Sequence, residues 1–160
     1  MSSVPSGDAR RRRRLVTGLR DGLRELSVQL TLLNSQVSGK LDLRDADLQC
    51  LDLIARLGPL SPSALAKRAS VHPATMTGIL DRLERAGFVA RDRDPNDRRS
   101  VLIRAMPERG AEVFALYAGM NSAMDGILAD YDEDQLTVIA DFLRRTTTAG
   151  QAATDDLAKG

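Results

Sequence analysis

The chain has 160 residues, 42% of them hydrophobic and 28% charged, and a formal net charge of +1, which fits one soluble domain with appendages and leaves any affinity for nucleic acid to the placement of its arginines. A single cysteine, Cys50, and a single histidine, His72, exclude an internal disulfide and a structural zinc site within one chain. No apolar run approaches the roughly 20 residues that span a bilayer, and no signal-peptide core follows the early arginines, so we expect a cytoplasmic protein without membrane contact, metal or cofactor.

The N-terminal segment is predicted to contain a basic arm and one long helix. Residues 1–14 are small and polar and end in five successive arginines, so we expect a disordered, solvated arm, with the tracking of nucleic-acid phosphates as the alternative. Leucines recur at intervals of three and four residues within 15–40, which predicts an amphipathic helix. They are Leu19, Leu23, Leu26, Leu30 and Leu33.

Three shorter helices are predicted before residue 87. The first ends at Gly58, a common stop signal. Pro62 and Pro73 mark the starts of the next two, because proline at the first helical position loses no hydrogen bond. Gly87 closes the last of them. Two helices joined by so short a link must cross steeply, as they do in the helix–turn–helix motif that binds DNA.

A hairpin and further helices are predicted to follow. Segments 88–93 and 100–105 are joined by turn-forming residues, which predicts two antiparallel strands. A hairpin directly after a DNA-reading helix is a wing. Pro107 starts a long helix whose apolar stripe reaches Leu128, and another striped helix follows. The predicted fold is mainly α with a small β-hairpin (α+β), a winged helix–turn–helix over 41–105 between dimerisation helices at 15–40 and 106–148, with a flexible tail at 149–160.

The second helix of the pair and the wing carry the candidate DNA contacts. The outward face of that helix is small and hydroxylated and then basic, which suits base edges in the major groove. Arginines near the wing tip suit the narrow, electronegative minor groove, and Asp97 is expected to share a strand face with Arg99 and brace its guanidinium. The alternative is an ordinary amphipathic pair with a weak surface charge ladder. The candidates are His72, Ala74, Thr75, Thr77, Gly78, Arg82, Arg93, Asp97, Arg98 and Arg99.

The segment "LAKRASVHPATMTGILDRLERAGFVARDRDPNDRRSVLIRAMPERG" resembles the multiple-antibiotic-resistance regulator (MarR) family, with its DRLE-AG and Asp-Pro-x-Asp-Arg-Arg landmarks. The resemblance extends over 43–145. It implies a homodimeric winged-helix repressor whose first and last helices form the dimer interface. It also implies that Arg99 is the minor-groove arginine, Asp97 its partner, and Arg98 a neighbour of the DNA backbone.

The sequence departs from common patterns at three positions. Ser70 stands in the helix–turn–helix turn where glycine is frequent. Arg44 and Met106 stand where the family often has a threonine at a helix start, so those starts are expected to lack that cap.

A ligand site and a redox switch are two further hypotheses. The resemblance implies that a small anionic or aromatic compound binds between the dimerisation helices and the winged domain. Cys50 is also the candidate for a peroxide sensor, although the cysteine of peroxide-sensing relatives lies in the first helix. No His or Lys is placed to lower its pKa, which favours ordinary core packing. The candidate pocket residues are Gln29, Leu33, Asp47, Cys50 and Tyr117.

These features lead to one main hypothesis for function and two alternatives. The main one is a transcriptional repressor that binds double-stranded DNA as a homodimer, on a pseudo-palindromic operator, and is released by a small ligand. The alternatives are a redox-sensing repressor switched through Cys50, and a helical protein-interaction module without DNA binding. An enzyme is not expected, because the sequence has no Ser-His-Asp set and no phosphate-binding loop.

Overall fold

The computed structural model describes residues 7–97 and 99–159. They form a mainly helical chain with one antiparallel hairpin, as predicted. Residues up to 45 belong to one compact unit, and those from 46 onward belong to a second. No helix in the described part of the chain is both long and apolar enough to cross a membrane. The elements are α1 (Gly7–Lys40), α2 (Asp45–Leu57), α3 (Pro62–Arg68), α4 (Pro73–Arg85), β1 (Val89–Arg93), β2 (Val101–Ala105), α5 (Pro107–Leu116), α6 (Ala118–Leu128) and α7 (Glu133–Leu157).

The first helix starts earlier than the sequence pattern predicts. Residues 7–14, expected to belong to a disordered arm, form the first turns of α1. Arginine is a good helix former, no proline interrupts the segment, and Asp8 lies in the first turn, where negative charge offsets the helix dipole. The five arginines at 10–14 are therefore exposed on a helix. Residues 1–6 of the expected arm lie outside the described residues.

The last helix also extends further than predicted. α7 continues to Leu157, through most of the segment expected to be a flexible tail. The segment lacks proline, and the Gln151 side chain donates to the Asp155 carboxylate one turn later at 2.9 Å. The start of α7 is fixed by a capping box, in which Asp132 and Gln135 each bind the other's backbone N–H.

The helix predicted to run on from Pro107 is divided into α5 and α6. The division falls at Tyr117, whose backbone N–H donates to the carbonyl of Phe114, three residues earlier, at 3.1 Å. This bond spans three residues, whereas the backbone hydrogen bonds of an α-helix span four, so the regular helix is interrupted here. Neither proline nor glycine occupies the break, so the apolar stripe crosses it without a sequence signal.

The predicted helix–turn–helix is present as α3 and α4. The Ser61 hydroxyl caps α3 by accepting from the backbone N–H of Ala64 at 3.2 Å, and proline occupies the first turn of both helices. Ser70, in the turn, has a φ of 53°, the left-handed conformation that favours glycine. The apolar faces of both helices are buried, as the spacing predicts: Leu65, Ala66, Met76, Ile79, Leu80 and Leu83.

The wing consists of β1, β2 and the turn between them. Its register pairs Val89 with Ala105 and Arg93 with Val101. The base of the wing is fixed by Leu60, which exchanges two backbone hydrogen bonds with the fully buried Ile103, at 2.8 and 3.2 Å. The wing is therefore attached to the segment before α3 as well as to the end of α4.

Large apolar side chains stay accessible on α1, α5, α6 and α7. Within α1 only Val37 and Ser38 are buried, and no residue of α5, α6 or α7 is buried. Much of the predicted stripes is thus exposed in a single chain, and further apolar side chains beside them are exposed too. The exposed stripe members include Leu19, Leu26, Leu30, Phe114, Met124, Ile127 and Leu143, and the others include Leu15, Val28, Leu32 and Val138.

Gly87 ends α4 in a Schellman turn, with a φ of 77°. Its N–H donates to Glu84, and the N–H of Phe88 donates to Leu83, both at 2.9 Å. A Cβ at position 87 meets no atom within 4 Å, so a substitution there is opposed by backbone conformation alone.

We expect Gly87→Ala to lower the free energy of unfolding by about 1 kcal/mol, because left-handed strain of about 1–2 kcal/mol outweighs the entropy that alanine removes from the unfolded chain. Urea unfolding followed by circular dichroism measures the change. Gly150→Ala is the matched control, since Gly150 lies in α7 with equal space and no positive φ, and it should stabilise. A loss of similar size in both variants would contradict the conformational explanation.

Candidate nucleic-acid interface

The exposed face of α4 presents the small and hydroxylated side chains that the sequence indicated. Ala74, Thr75 and Thr77 are exposed, and Gly78 is half-buried. The Thr77 hydroxyl donates to the carbonyl of Pro73 at 3.1 Å, so the hydroxyl oxygen still offers lone pairs to a donor outside the helix. Short side chains on this face allow the α4 backbone to approach a groove closely.

His72 is the N-cap of α4. Its Nδ1 atom accepts from the backbone N–H of Ala74 at 3.2 Å. A neutral histidine that accepts at Nδ1 carries its proton on Nε2, and the side chain is exposed. His72 thus satisfies one backbone donor at the helix end, and its ring is exposed.

Arg82 is held by a buried carboxylate on α2. Its Nε and Nη2 atoms donate to the two carboxylate oxygens of Asp47, at 3.0 and 2.6 Å. The side chain of Asp47 is 1% exposed and that of Arg82 is 33% exposed. The bidentate bond raises the pKa of Arg82 and occupies the fork that binds phosphate or guanine. Arg82, predicted to contact DNA, is therefore engaged within the protein.

Arg91 is a residue of this surface that the sequence reasoning missed. Its guanidinium donates to Asp81 at 2.6 Å and also to Glu84, both on α4. The bond to Asp81 is the largest cause of the raised pKa of Arg91. Two carboxylates one helical turn apart, followed by an arginine on the next strand, are the signal that could have found it.

The turn of the wing is organised by carboxylates that bind backbone. Asp97 accepts from the N–H of Arg99 at 3.0 Å and from the Ser100 hydroxyl at 2.8 Å. These bonds, the one from Arg99 first, lower the pKa of Asp97. Asp94 similarly accepts from the N–H of Asn96 at 2.8 Å. Each carboxylate thus fixes the backbone two residues ahead, as an Asx turn does.

The prediction that the Asp97 carboxylate binds the Arg99 guanidinium is wrong. Both residues lie in the turn between β1 and β2, so they share no strand face, and Asp97 binds the backbone instead. Among the described residues the Arg99 guanidinium forms no ion pair, and its side chain is exposed, as is that of Arg93. Arg98, the third candidate arginine of the wing, lies outside the described residues.

Cys50 is buried in α2, with 3% of its surface exposed. Burial raises the pKa of its thiol, and the charge of Asp47 raises it further. Both effects oppose the thiolate that peroxide chemistry requires. The structure favours core packing over a redox switch for this residue.

The other candidate pocket residues fall in both compact units. Gln29 is exposed and Leu33 half-buried in the first unit. In the second, Asp47 binds Arg82, and the half-buried Tyr117 has a raised pKa through burial first and the charge of Asp52 second. A pocket built from these residues stays a prediction.

Comparisons with known proteins agree with this architecture. A model of the MarR family matches residues 43–101. The chain is 30% identical over 120 residues to an uncharacterized HTH-type transcriptional regulator, YcgE of Bacillus subtilis. The matched region covers 75% of this chain and 78% of the relative. It is 34% identical over 84 residues to the HTH-type transcriptional repressor YetL of the same species, over 52% of this chain and 50% of the relative. A crystal structure of MarR matches with a TM-score of 0.55 at 27% identity, over 84% of this chain and 98% of that one.

We expect Arg82→Met to lower the free energy of unfolding by about 2 kcal/mol, because it removes a cationic partner from a buried carboxylate; partial exposure of Arg82 keeps the loss below that of a fully buried pair. Asp47→Leu/Arg82→Met should recover most of it. Arg56→Met, which breaks the exposed Asp52–Arg56 pair of α2, is the control and should change stability by less than about 0.5 kcal/mol. Equal losses in the two single variants, measured by urea unfolding, would contradict a special role for Asp47.

We expect the Cys50 thiol to react with iodoacetamide at pH 7.5 at least about tenfold more slowly in the folded protein than in urea, because burial raises its pKa and shields it. Mass spectrometry of timed samples measures the rate. Hydrogen peroxide should likewise leave DNA binding unchanged in both the natural chain and Cys50→Ser. Release of DNA by peroxide in the natural chain alone would restore the redox hypothesis.

Proposed function

Because the chain belongs to the MarR family of DNA-binding transcriptional regulators, we propose that it represses transcription as a homodimer on a pseudo-palindromic operator. Members of this family are regulators and not enzymes. The observation that carries the proposal is the pairing of an exposed, small-residue face on α4 with an exposed arginine in the turn of the wing. The similarity to YetL, which is named a transcriptional repressor, supports repression over activation.

In this proposal α4 reads the major groove. Ala74 and Thr75 lie near its N-terminal end, where a methyl group contacts thymine and a hydroxyl bonds to a base edge. The exposed His72 ring, whose Nδ1 is bonded to the backbone, keeps Nε2 for a phosphate beside the groove. Arg82 acts indirectly, since its guanidinium holds α4 to Asp47.

The wing supplies the second contact. Arg99 is exposed, and its backbone is fixed by Asp97, so its guanidinium is available to a narrow minor groove beside the major groove that α4 occupies. Arg93, exposed at the end of β1, suits the phosphates along the same path.

The homodimer is supported by the accessible apolar side chains of α1, α5, α6 and α7. Phe114 and Val138 are 66% and 69% exposed, and Leu15 is 61% exposed. Monomeric proteins rarely expose many large apolar side chains along whole helices, and such surfaces usually mark an interface. A twofold dimer presents two α4 helices and so requires two half-sites about one helical turn of DNA apart.

Release by a small ligand is the third part of the proposal. It rests on the resemblance to the family. The ligand class is a small anionic or aromatic compound. The raised pKa of the Cys50 thiol makes oxidation a weaker means of release.

We expect the protein to select a palindromic sequence from random DNA and to bind it as a dimer, with log affinity falling steeply against log salt concentration. Arg99→Ala should weaken binding by about tenfold or more and reduce the salt slope by about one, because one cationic contact is lost. Fluorescence anisotropy over a salt series measures both quantities.

Arg145→Ala is the control for this experiment. It removes the same charge from a side chain that is 75% exposed on α7, and it should leave the affinity within about twofold, since it lies outside α4 and the wing. Equal effects of the two substitutions would contradict a specific contact by the wing. Selection of no DNA by the natural chain would favour the protein-interaction module.

A further inference from the structure

The two faces of the wing carry different arginines. Side chains alternate along a strand, so Arg91 shares a face with Val89, which is buried, while Asp92 points to the opposite face. Arg91 pairs across the strands with the buried Ile103, and Asp92 forms an ion pair with Arg104 at 2.6 Å. One arginine therefore faces the body of the domain, and the other stays on the outer face of the wing.

Arg91 joins the wing to α4 through two carboxylates. Asp81 and Glu84 lie three residues apart and project from the same side of the helix, where their negative charges repel each other. The guanidinium of Arg91 donates one bond to each of them. Its side chain is 34% exposed, against 47% for Asp81 and 39% for Glu84. A planar fork that binds two carboxylates fixes both direction and distance, which a single flexible cation does not.

The contact holds β1 at a level of the wing where β2 is already held, because Arg91 is the cross-strand partner of Ile103. The base is already held by the hydrogen bonds between Leu60 and Ile103 and by the bond from the N–H of Met106 to the carbonyl of Phe88 at 2.9 Å. A two-stranded ribbon held at one level through one strand alone can still twist about that strand. At the level of Arg91 and Ile103, β2 is bonded to Leu60 through the backbone of Ile103, and β1 is bonded to α4 through the side chain of Arg91.

We propose that Arg91 is a positioning residue for DNA binding, and that its bonds to Asp81 and Glu84 set the angle between the wing and α4 so that both reach their grooves together. The inference rests on the proposed function. Arg91 itself contacts no DNA in this arrangement. It acts through Arg99, whose reach into the minor groove depends on where the wing points.

The test removes all three charges of the cluster formed by Arg91, Asp81 and Glu84, with the variant Arg91→Met/Asp81→Asn/Glu84→Gln. This change deletes one positive and two negative charges, so electrostatics alone would strengthen binding to DNA. We expect the triple variant to bind the selected DNA about tenfold more weakly than the natural chain instead. In a protein that already carries Arg99→Ala, the same three substitutions should weaken binding by less than about threefold. The two losses overlap because both act on the same wing contact.

The control is Arg104→Met/Asp92→Asn, which removes an ion pair of similar exposure from the outer face of the same wing. It leaves the net charge unchanged, and it should alter affinity by less than about twofold. Tighter binding by the cluster variant, or losses that multiply with Arg99→Ala, would overturn the proposal.

A measurement without DNA separates this proposal from the proposed function. Residual dipolar couplings of the backbone N–H groups of α4, β1 and β2 report their relative orientation in the free protein. We expect a changed or averaged wing orientation in the cluster variant and none in the control. If the natural chain selects no DNA, the proposed function fails, while the couplings still decide whether Arg91 fixes the wing; an unchanged orientation would overturn that role.

Discussion

The orientation of α4 is the constraint on which the interface depends, and a buried charge secures it. Asp47 is almost completely removed from solvent, and such a carboxylate requires charge-assisted partners. Arg82 supplies one from the last turn of α4, with two hydrogen bonds that restrict rotation about the helix axis as well as the distance from α2. Packing of Met76, Ile79 and Leu83 sets which side of α4 is buried. The ion pair adds direction, which apolar contacts by themselves specify less sharply.

Charge placement, more than charge excess, distinguishes this surface. The net charge is only +1, and two arginines at α4 are bonded to acidic side chains: Arg82 to Asp47, and Arg91 to Asp81 and Glu84. Those pairs neutralise cations that would otherwise attract any DNA. The guanidinium of Arg99 has no such partner among residues 7–97 and 99–159. An interface arranged in this way favours contacts that depend on shape and register over general attraction to phosphate.

Most of the fold follows from local signals, and the differences have local causes. Three local signals predict α3, α4 and the wing: proline at two helix starts, Gly87 at a helix end and turn-forming residues between the strands. Each of these residues restricts the backbone strongly. The break at Tyr117 carries no such signal. The candidate site was predictable at the level of exposed faces. The ion pairs within the site were not predictable. Arg82 and Asp47 are 35 residues apart in sequence, and no local pattern indicates that the guanidinium binds this carboxylate instead of DNA.

The early start of α1 has a consequence for handling the protein. Five successive arginines in a loose arm would be an open target for trypsin-like proteases, which bind their substrates in an extended conformation. In α1 the same arginines belong to a hydrogen-bonded helix that runs without interruption to Lys40. Cleavage after them therefore requires local unwinding, and its rate reports how often the first turns of α1 open. Cleavage at the five arginines at 10–14 can therefore be used to measure fraying of the N-terminal end of α1.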